Sequence, residues 1–379
     1  MEIEIERDVK LLFLSSFAHL ILDEQSTRTS GGAELQVALL ARELAGRGHE
    51  VVIAAGDMGQ GDGLNLQGVK IRNAGKFHTG RLLEMVGAIP RVIRVLREER
   101  PEWVIVMGWT AWLFILWMVR PFLGFRLDFT CALDSEINGV YRREHPVFGS
   151  LFEFAVRRCD ARHAITQGQK DCFEARGMDC TLYRYLVFRR KSPPIGEKLV
   201  DFLWVSRGQP IKRPEVFIDL ARSLPEASFE MICPAENRGL WDEVSARAGS
   251  CPNLAFVESV PYHRIQEHYD RARIFVNTSE WEGWPNSFIQ AGLGWAALLS
   301  LDVNPDGIFE TFGLGVFTAG DRERFVEAAR EMLADPVRLR SMQEGCAAFV
   351  EQMHDNTRET EIFLSGLRAH SDADAGVSA

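Results

Sequence analysis

Apolar residues fall into short unbroken runs, separated by longer stretches in which they recur every three or four positions. Leu11–Ser15 and Val51–Ala55 are runs of the first kind. Between them, in Gly31–Gly48, Leu35, Val37, Ala38, Ala41 and Leu44 share one broad helical face, and Gly48 supplies a helix stop. Unbroken runs suit strands covered on both faces, so strand, helix, strand in this order predicts a parallel sheet. The alternation continues through an amphipathic helix carrying Leu82, Met85, Val86, Ile89, Val92, Ile93 and Leu96, with a kink expected at Pro90. A strand at Trp103–Met107, a helix at Trp109–Val119 and a strand at Leu127–Ala132 follow, then short runs at Ala164–Ile165 and Cys180–Tyr183.

A Pro/Gly-rich linker near 191–199 interrupts the series, and a second α/β series begins after it. Its predicted strands are Asp201–Val205, Phe229–Cys233, Leu254–Val257, Ile274–Val276 and Ala297–Leu299. Its predicted helices are Val216–Ser223, Tyr262–Arg271, Phe288–Leu293, Glu323–Leu333 and Pro336–Gln352. The expected organisation is a first domain over residues 1–192 and a second over 193–352. A helix over about 353–368 packs back on the first domain, and a disordered tail spans 369–379.

The 379 residues are 46% hydrophobic, enough for two cores. A net charge of −10 argues against nucleic acid as a partner. Seven cysteines without a C-x-x-C pair read as reduced thiols, and no Cys/His cluster points to a metal. Met1–Lys10 lacks the apolar core of a signal peptide, and Trp109–Val119 is too short to span a bilayer. A cytoplasmic protein is expected. Charge is uneven, however: Arg142–Lys191 holds 11 Arg and Lys against 6 Asp and Glu, and Arg81, Arg91, Arg94, Arg97 and Arg100 lie on one predicted helix stretch. These faces fit either solvated helix surface or peripheral docking on an anionic membrane or acceptor.

Chemistry concentrates where strands end. Glu282 lies in a turn after an apolar run and before a helix opening, the place where open α/β sheets bind ligands and helix N-termini accept anions. A capping carboxylate is the alternative. Arg207 and Lys212 follow the first strand of the second series. Gly31 and Gly32 open the first long helix, as a tight turn or as bare backbone for a phosphate. Asp134 and Glu136 follow a strand of the first series, as acceptor-facing acids or helix caps.

Residues 279–290, Ser-Glu-Trp-Glu-Gly-Trp-Pro-Asn-Ser-Phe-Ile-Gln, resemble the E-G-F-P-N-x-x-x-E loop of retaining, GT-B-fold glycosyltransferases. That nucleotide-sugar family includes sucrose synthase and bacterial lipopolysaccharide and polysaccharide transferases. Trp204–Pro214 resembles the family's V-G-R-x-x-x-x-K-G loop, with the spacing from Arg207 to Lys212 kept, and Gly31-Gly32 resembles its diphosphate-facing Gly-Gly loop. Asp134 stands at the place of a family His-Asp pair, with Leu133 at the histidine position.

The resemblance implies an α/β GT-B fold, two Rossmann-like domains whose parallel sheets face a central cleft. It implies transfer of a sugar, with retention, from a UDP- or GDP-linked donor to a glycan, lipid-linked or small-molecule acceptor. No metal and no cofactor beyond the donor are implied. Glu282 would meet donor-sugar hydroxyls, and backbone at Gly283, Trp284, Pro285, Asn286 and Ser287 would face sugar and phosphate. Arg207 and Lys212 would flank the diphosphate, and Asp134 or Glu136 would orient or deprotonate the acceptor. Gln290 departs from the family's ribose-binding glutamate, keeping an acceptor oxygen and losing the charge. Arg213 replaces a glycine, Cys233–Glu236 replaces a G-x-G turn, and Gly294–Ala297 replaces C-G-x-P. Two further readings stand beside transfer: a catalytically degenerate scaffold, and a sugar-nucleotide epimerase or hydrolase. A nicotinamide enzyme is disfavoured because no G-x-G-x-x-G directly follows a strand.

Overall fold

The computed structural model describes residues 8–26, 28, 31–77, 82–108, 110–188, 197–235 and 238–375. They form two compact units. Residues 8–26, 31–186 and 356–375 make up the first, and described residues between 187 and 355 the second. Residues 191–196 of the expected linker, with Arg81, Trp109, Glu236 and 376–379, lie outside the described residues.

The first unit runs β1 (Lys10–Leu14), α1 (His19–Leu22), α2 (Gly32–Gly46), β2 (Glu50–Ala55), β3 (Leu64–Leu66), β4 (Val69–Asn73), α3 (Leu82–Glu99), β5 (Trp103–Met107), α4 (Trp112–Leu123), β6 (Arg126–Thr130), α5 (Val140–Glu144), α6 (Pro146–Arg157), β7 (Ala161–Ala164), α7 (Gln167–Glu174) and β8 (Thr181–Leu182). Its strands lie in the order β3-β4-β2-β1-β5-β6-β7-β8, parallel except for β3 against β4. Helices on both faces bury Leu11–Phe13 and Val51–Ala54, which is why those strands read as unbroken apolar runs. The β3–β4 hairpin was not visible in that pattern. It is short, and its Gln67-Gly68 turn uses positive φ at both residues, the geometry a two-residue hairpin favours.

The second unit runs β9 (Val200–Val205), α8 (Pro214–Ser223), β10 (Phe229–Ile232), α9 (Arg238–Gly249), β11 (Leu254–Val257), α10 (Tyr262–Arg271), β12 (Ala272–Asn277), α11 (Asn286–Leu293), β13 (Ala297–Ser300), α12 (Ile308–Phe312), β14 (Gly315–Phe317), α13 (Arg322–Ala334) and α14 (Pro336–Met353). Its sheet is wholly parallel, in the order β11-β10-β9-β12-β13-β14.

Two sequence expectations need correction. α4 continues past Val119 to Leu123, because Pro121 falls in its last turn, where one lost hydrogen bond is tolerated and Gly124 (φ 75°) closes the helix. The last helix, α15 (Asn356–Ala375), enters the stretch expected to be disordered from 369, since extending an anchored helix costs far less than starting one. That anchor lies within the first unit. His163 Nδ1 faces Asp128 Oδ1 at 2.7 Å, and its Nε2 faces the Phe363 carbonyl of α15 at 3.1 Å. Through contacts at both ring nitrogens, His163 ties β7 to β6 and to α15. Asp128 and His163 are fully buried, and Phe363 stacks on the imidazole at 4.4 Å.

In the second unit one side chain ties three strand ends together. A 3-10 turn, Pro210–Lys212, ends at Arg213, which sits in the left-handed region at φ 47°. Its Nε donates to the Thr278 carbonyl at 2.6 Å, its Nη2 donates to the Ser279 carbonyl at 3.0 Å, and it pairs with Asp302 beyond β13. The Thr278 hydroxyl donates to the Lys212 carbonyl at 2.6 Å and accepts from Trp204 Nε1 at 2.9 Å. The loop after β9 is thereby fastened to the loops after β12 and β13.

Asp128→Ala leaves the buried His163 Nδ1 without its hydrogen-bond partner and is expected to cost about 2 kcal/mol, read by urea unfolding. Arg213→Ala is expected to cost about 2 kcal/mol, while Arg213→Gly, which loses the same bonds but relieves the left-handed strain, should cost about 1 kcal/mol less. Equal losses for the two Arg213 variants would contradict the strain argument.

Candidate active site

The order of the second sheet reverses between β9 and β12. From β9 the chain builds outward through β10 and β11, then returns to place β12 on the other side of β9. The carboxyl ends of β9 and β12 thus form a topological switch point, the place where open α/β sheets bind ligands. The β9 loop carries Arg207 and Lys212, and the β12 loop carries Glu282.

These loops bring Lys212 Nζ to 3.2 Å from Glu282 Oε1, both side chains largely covered. The same oxygen accepts from Asn277 Nδ2 at 3.0 Å and from the Ser279 hydroxyl at 2.6 Å. Among the described residues all three donors fall on Oε1, so the carboxylate is fixed in orientation while Oε2 can accept from a ligand. Glu282 is not a helix cap. The cap position of α11 is Pro285, which offers no side-chain bond. Arg207 is exposed at the start of the β9 loop.

The first turn of α11 holds no acidic residue, and its start lies just past Glu282. Asn286 and Ser287 supply its leading N–H groups, and the Phe288 N–H closes onto the Pro285 carbonyl at 3.1 Å. One expectation changes here. Pro285 has no N–H to offer a ligand. The Trp284 ring is 4% exposed and packs against Phe349 and His354, so its bulk serves the core and only its backbone remains for a ligand. Gly283 is buried and Gln290 half-buried. Gln290 Nε2 reaches the Tyr262 hydroxyl at 3.5 Å, a weak contact, and Tyr262 lies 5.4 Å from the Phe188 ring.

In the first unit, Gly31 is the cap residue of α2 and Gly32 its first helical residue. The Gly31 backbone is extended (φ −85°), so the turn does not demand glycine. Space does not demand it either: a Cβ there would meet only the Glu34 carboxylate, which lies back over the helix start at the end of a flexible side chain that can move aside. Any anion approaching α2 meets that carboxylate first, at the position the helix dipole favours for negative charge.

Asp134 opens a 3-10 turn, Asp134–Glu136, after β6. It is exposed, and its Oδ1 accepts from Gln169 Nε2 at 3.0 Å. Gln169 is itself buried and fixed, its Oε1 accepting the Ile165 N–H at 3.0 Å. Glu136 turns the other way: its Oε2 accepts from the Ala132 and Leu133 N–H groups and holds the turn together. The structure thus divides the two acids, Glu136 to the backbone and Asp134 to the surface. Burial, then the charges of Glu136 and Asp134, pushes the Cys131 thiol well above its ordinary range, so it is not a nucleophile. All seven cysteines are free thiols, five of them buried.

Among the described residues no group of His, Cys, Asp and Glu could hold a metal ion, and no helix is long and apolar enough to cross a membrane. Sequence reasoning missed Asn277 and Ser279, which orient Glu282, and Gln169, which holds Asp134. The polar triplet Asn277-Thr278-Ser279 closing an apolar strand was the available signal for the first two. Nothing local marks Gln169.

Residues 31–186 match the model of the glycosyl transferase 4-like domain. No curated protein matches the sequence. Among solved structures, sucrose-phosphate synthase from Thermosynechococcus elongatus is similar at TM-score 0.78 and 14% identity, over 96% of this chain and 100% of that one. HepE from Anabaena, in complex with UDP, is similar at TM-score 0.69 and 15% identity, over 95% and 100%. WaaG, a glycosyltransferase involved in lipopolysaccharide biosynthesis, is similar at TM-score 0.67 and 12% identity, over 93% and 97%. The chain therefore has the GT-B fold, and its residues 31–186 are similar to the glycosyl transferase 4-like domain.

Proposed function

We propose that this chain is a retaining glycosyltransferase, moving a sugar from a UDP- or GDP-linked donor to a hydroxyl of a glycan, lipid-linked or small-molecule acceptor. The observation that carries the reading is the Lys212–Glu282 pair at the reversal point of the second sheet. A donor diphosphate there competes with Glu282 for the Lys212 ammonium. Lys212, Arg207 and the N–H groups of α11 then face the oxygens on which charge grows as the sugar leaves. Glu282, held by Asn277 and Ser279, accepts from hydroxyls of the donor sugar. The bond from C1 to the diphosphate oxygen breaks, and the acceptor oxygen bonds C1 on the same face. The acceptor proton passes to the departing phosphate. These cations and helix dipoles do the work a metal does elsewhere, so no metal or cofactor is required. The Anabaena protein of similar fold was captured with UDP and with UDP-glucose, which supports a nucleotide-sugar donor.

Gln290 favours a second reading, a nucleotide-sugar-binding scaffold without transfer. A neutral amide binds ribose hydroxyls more weakly than a carboxylate does.

UDP or GDP should raise the melting temperature with or without Mg²⁺, because a ligand of the folded state stabilises it by mass action. A shift seen only with Mg²⁺ would overturn the metal-free account. Glu282→Gln should lower transfer by about 10²-fold or more while the chain still folds, read as a cooperative melting transition. Normal turnover in that variant would sink the assignment, and nucleotide binding without turnover in the parent chain would select the scaffold. Gln290→Glu should tighten donor binding about fivefold, measured by calorimetry.

A further inference from the structure

Helices α4 and α6 of the first unit present apolar side chains to solvent that the proposed chemistry does not use. Phe122 is 85% exposed, Val147 70% and Phe148 53%, with Met118, Leu151 and Phe154 exposed beside them. They belong to one surface, because the Trp117 ring of α4 meets the Phe154 ring of α6 edge-on at 4.8 Å. On α4, Met118 and Phe122 are one helical turn apart; on α6, Val147, Leu151 and Phe154 share a face while Phe152, Ala155 and Val156 are buried.

Charge around the rings is mostly positive, although Glu144 at the end of α5 is exposed just before α6. α4 contains no acidic residue. The single acid of α6, Glu153, is taken up by Arg142 at 3.0 Å and by Arg157 at 3.3 Å. Arg143, Arg157 and Arg158 are exposed, and the Arg158 guanidinium lies over the Phe154 ring at 4.8 Å. A chain of net charge −10 thus keeps an arginine-rimmed aromatic face. Two copies meeting through it would set like charges against each other. Rings level with arginines instead match a bilayer surface, acyl chains for the rings and anionic headgroups for the guanidiniums.

We infer that α4 and α6 form a docking face for an anionic membrane leaflet and that the acceptor is held in that membrane. The link to the acceptor is short. α5 bridges the Asp134–Glu136 turn to α6, and the join is tight enough that a Cβ on Gly149 would lie 2.6 Å from the Arg142 Cα. A docked α6 therefore fixes the position of Asp134 relative to the lipid surface. The statement about the acceptor rests on the transferase reading, whereas the docking face stands without it.

Vesicle flotation of the full chain, with no nucleotide present, tests the face alone. Binding is expected to vesicles of phosphatidylcholine mixed with phosphatidylglycerol, to fall with added salt, and to be absent on pure phosphatidylcholine. Phe122→Ser/Phe148→Ser, two exposed sites, should lower partitioning by about tenfold or more with unchanged thermal unfolding. Arg143→Glu/Arg158→Glu should abolish the preference for anionic vesicles. Absence of vesicle binding, binding indifferent to both variants, or a dimer that the serine pair dissociates would overturn the proposal. Transfer to a soluble acceptor, assayed separately, tells failure of the surface from failure of the enzyme.

Discussion

The second unit is organised around a carboxylate and an ammonium that meet at the ends of two neighbouring strands. Lys212 and Glu282 are far apart in the chain, and β9 and β12 become neighbours only because the sheet reverses direction between them. Opposite charges drawn partly out of water are favourable only when each is well partnered. Asn277 and Ser279 complete the partnership for Glu282, and the Arg213 bonds hold the loop that carries Lys212. The site is thus preorganised by ordinary structural hydrogen bonds before any ligand arrives.

Arg213 shows how a departure from a family pattern can be physically consistent. A glycine adopts the left-handed conformation at little cost, whereas an arginine there is strained by roughly 1 kcal/mol or more. The arginine returns two hydrogen bonds to strand-end carbonyls and an ion pair with Asp302, none of which glycine can make. Flexibility of the loop is exchanged for rigidity. Gln290 is a different departure: it keeps reach and drops charge, and its contact with Tyr262 is too long to compensate.

The first unit separates two uses of apolar side chains. Those of the strands and of one face of α4 and α6 fill the core, with Trp112, Leu116 and Phe152 buried. Those on the outer faces of the same helices stay in water. α4 reads in sequence as apolar all round, which suits a buried helix or a bilayer surface equally well. Its companion α6 exposes the other half of the patch, and the arginines stand at its two ends, Arg142 and Arg143 on α5 and Arg157 and Arg158 at its C-terminus.

The sequence by itself determined the parallel α/β class, two series of alternating elements, and the strand-end placement of Glu282, Arg207 and Lys212. These are local properties, set by unbroken apolar runs, by a periodicity of about 3.6 residues and by turn residues at strand ends. Tertiary structure alone decided which strands are neighbours. It decided that Glu282 bonds Lys212 rather than capping α11, that Trp284 packs in the core, and that Glu136 serves the backbone while Asp134 stays exposed. It also carried α15 back to the first unit through His163 and Phe363, residues 200 positions apart. Sequence periodicity records which face of an element is apolar; which other element covers that face, or whether any does, is fixed only when distant segments pack.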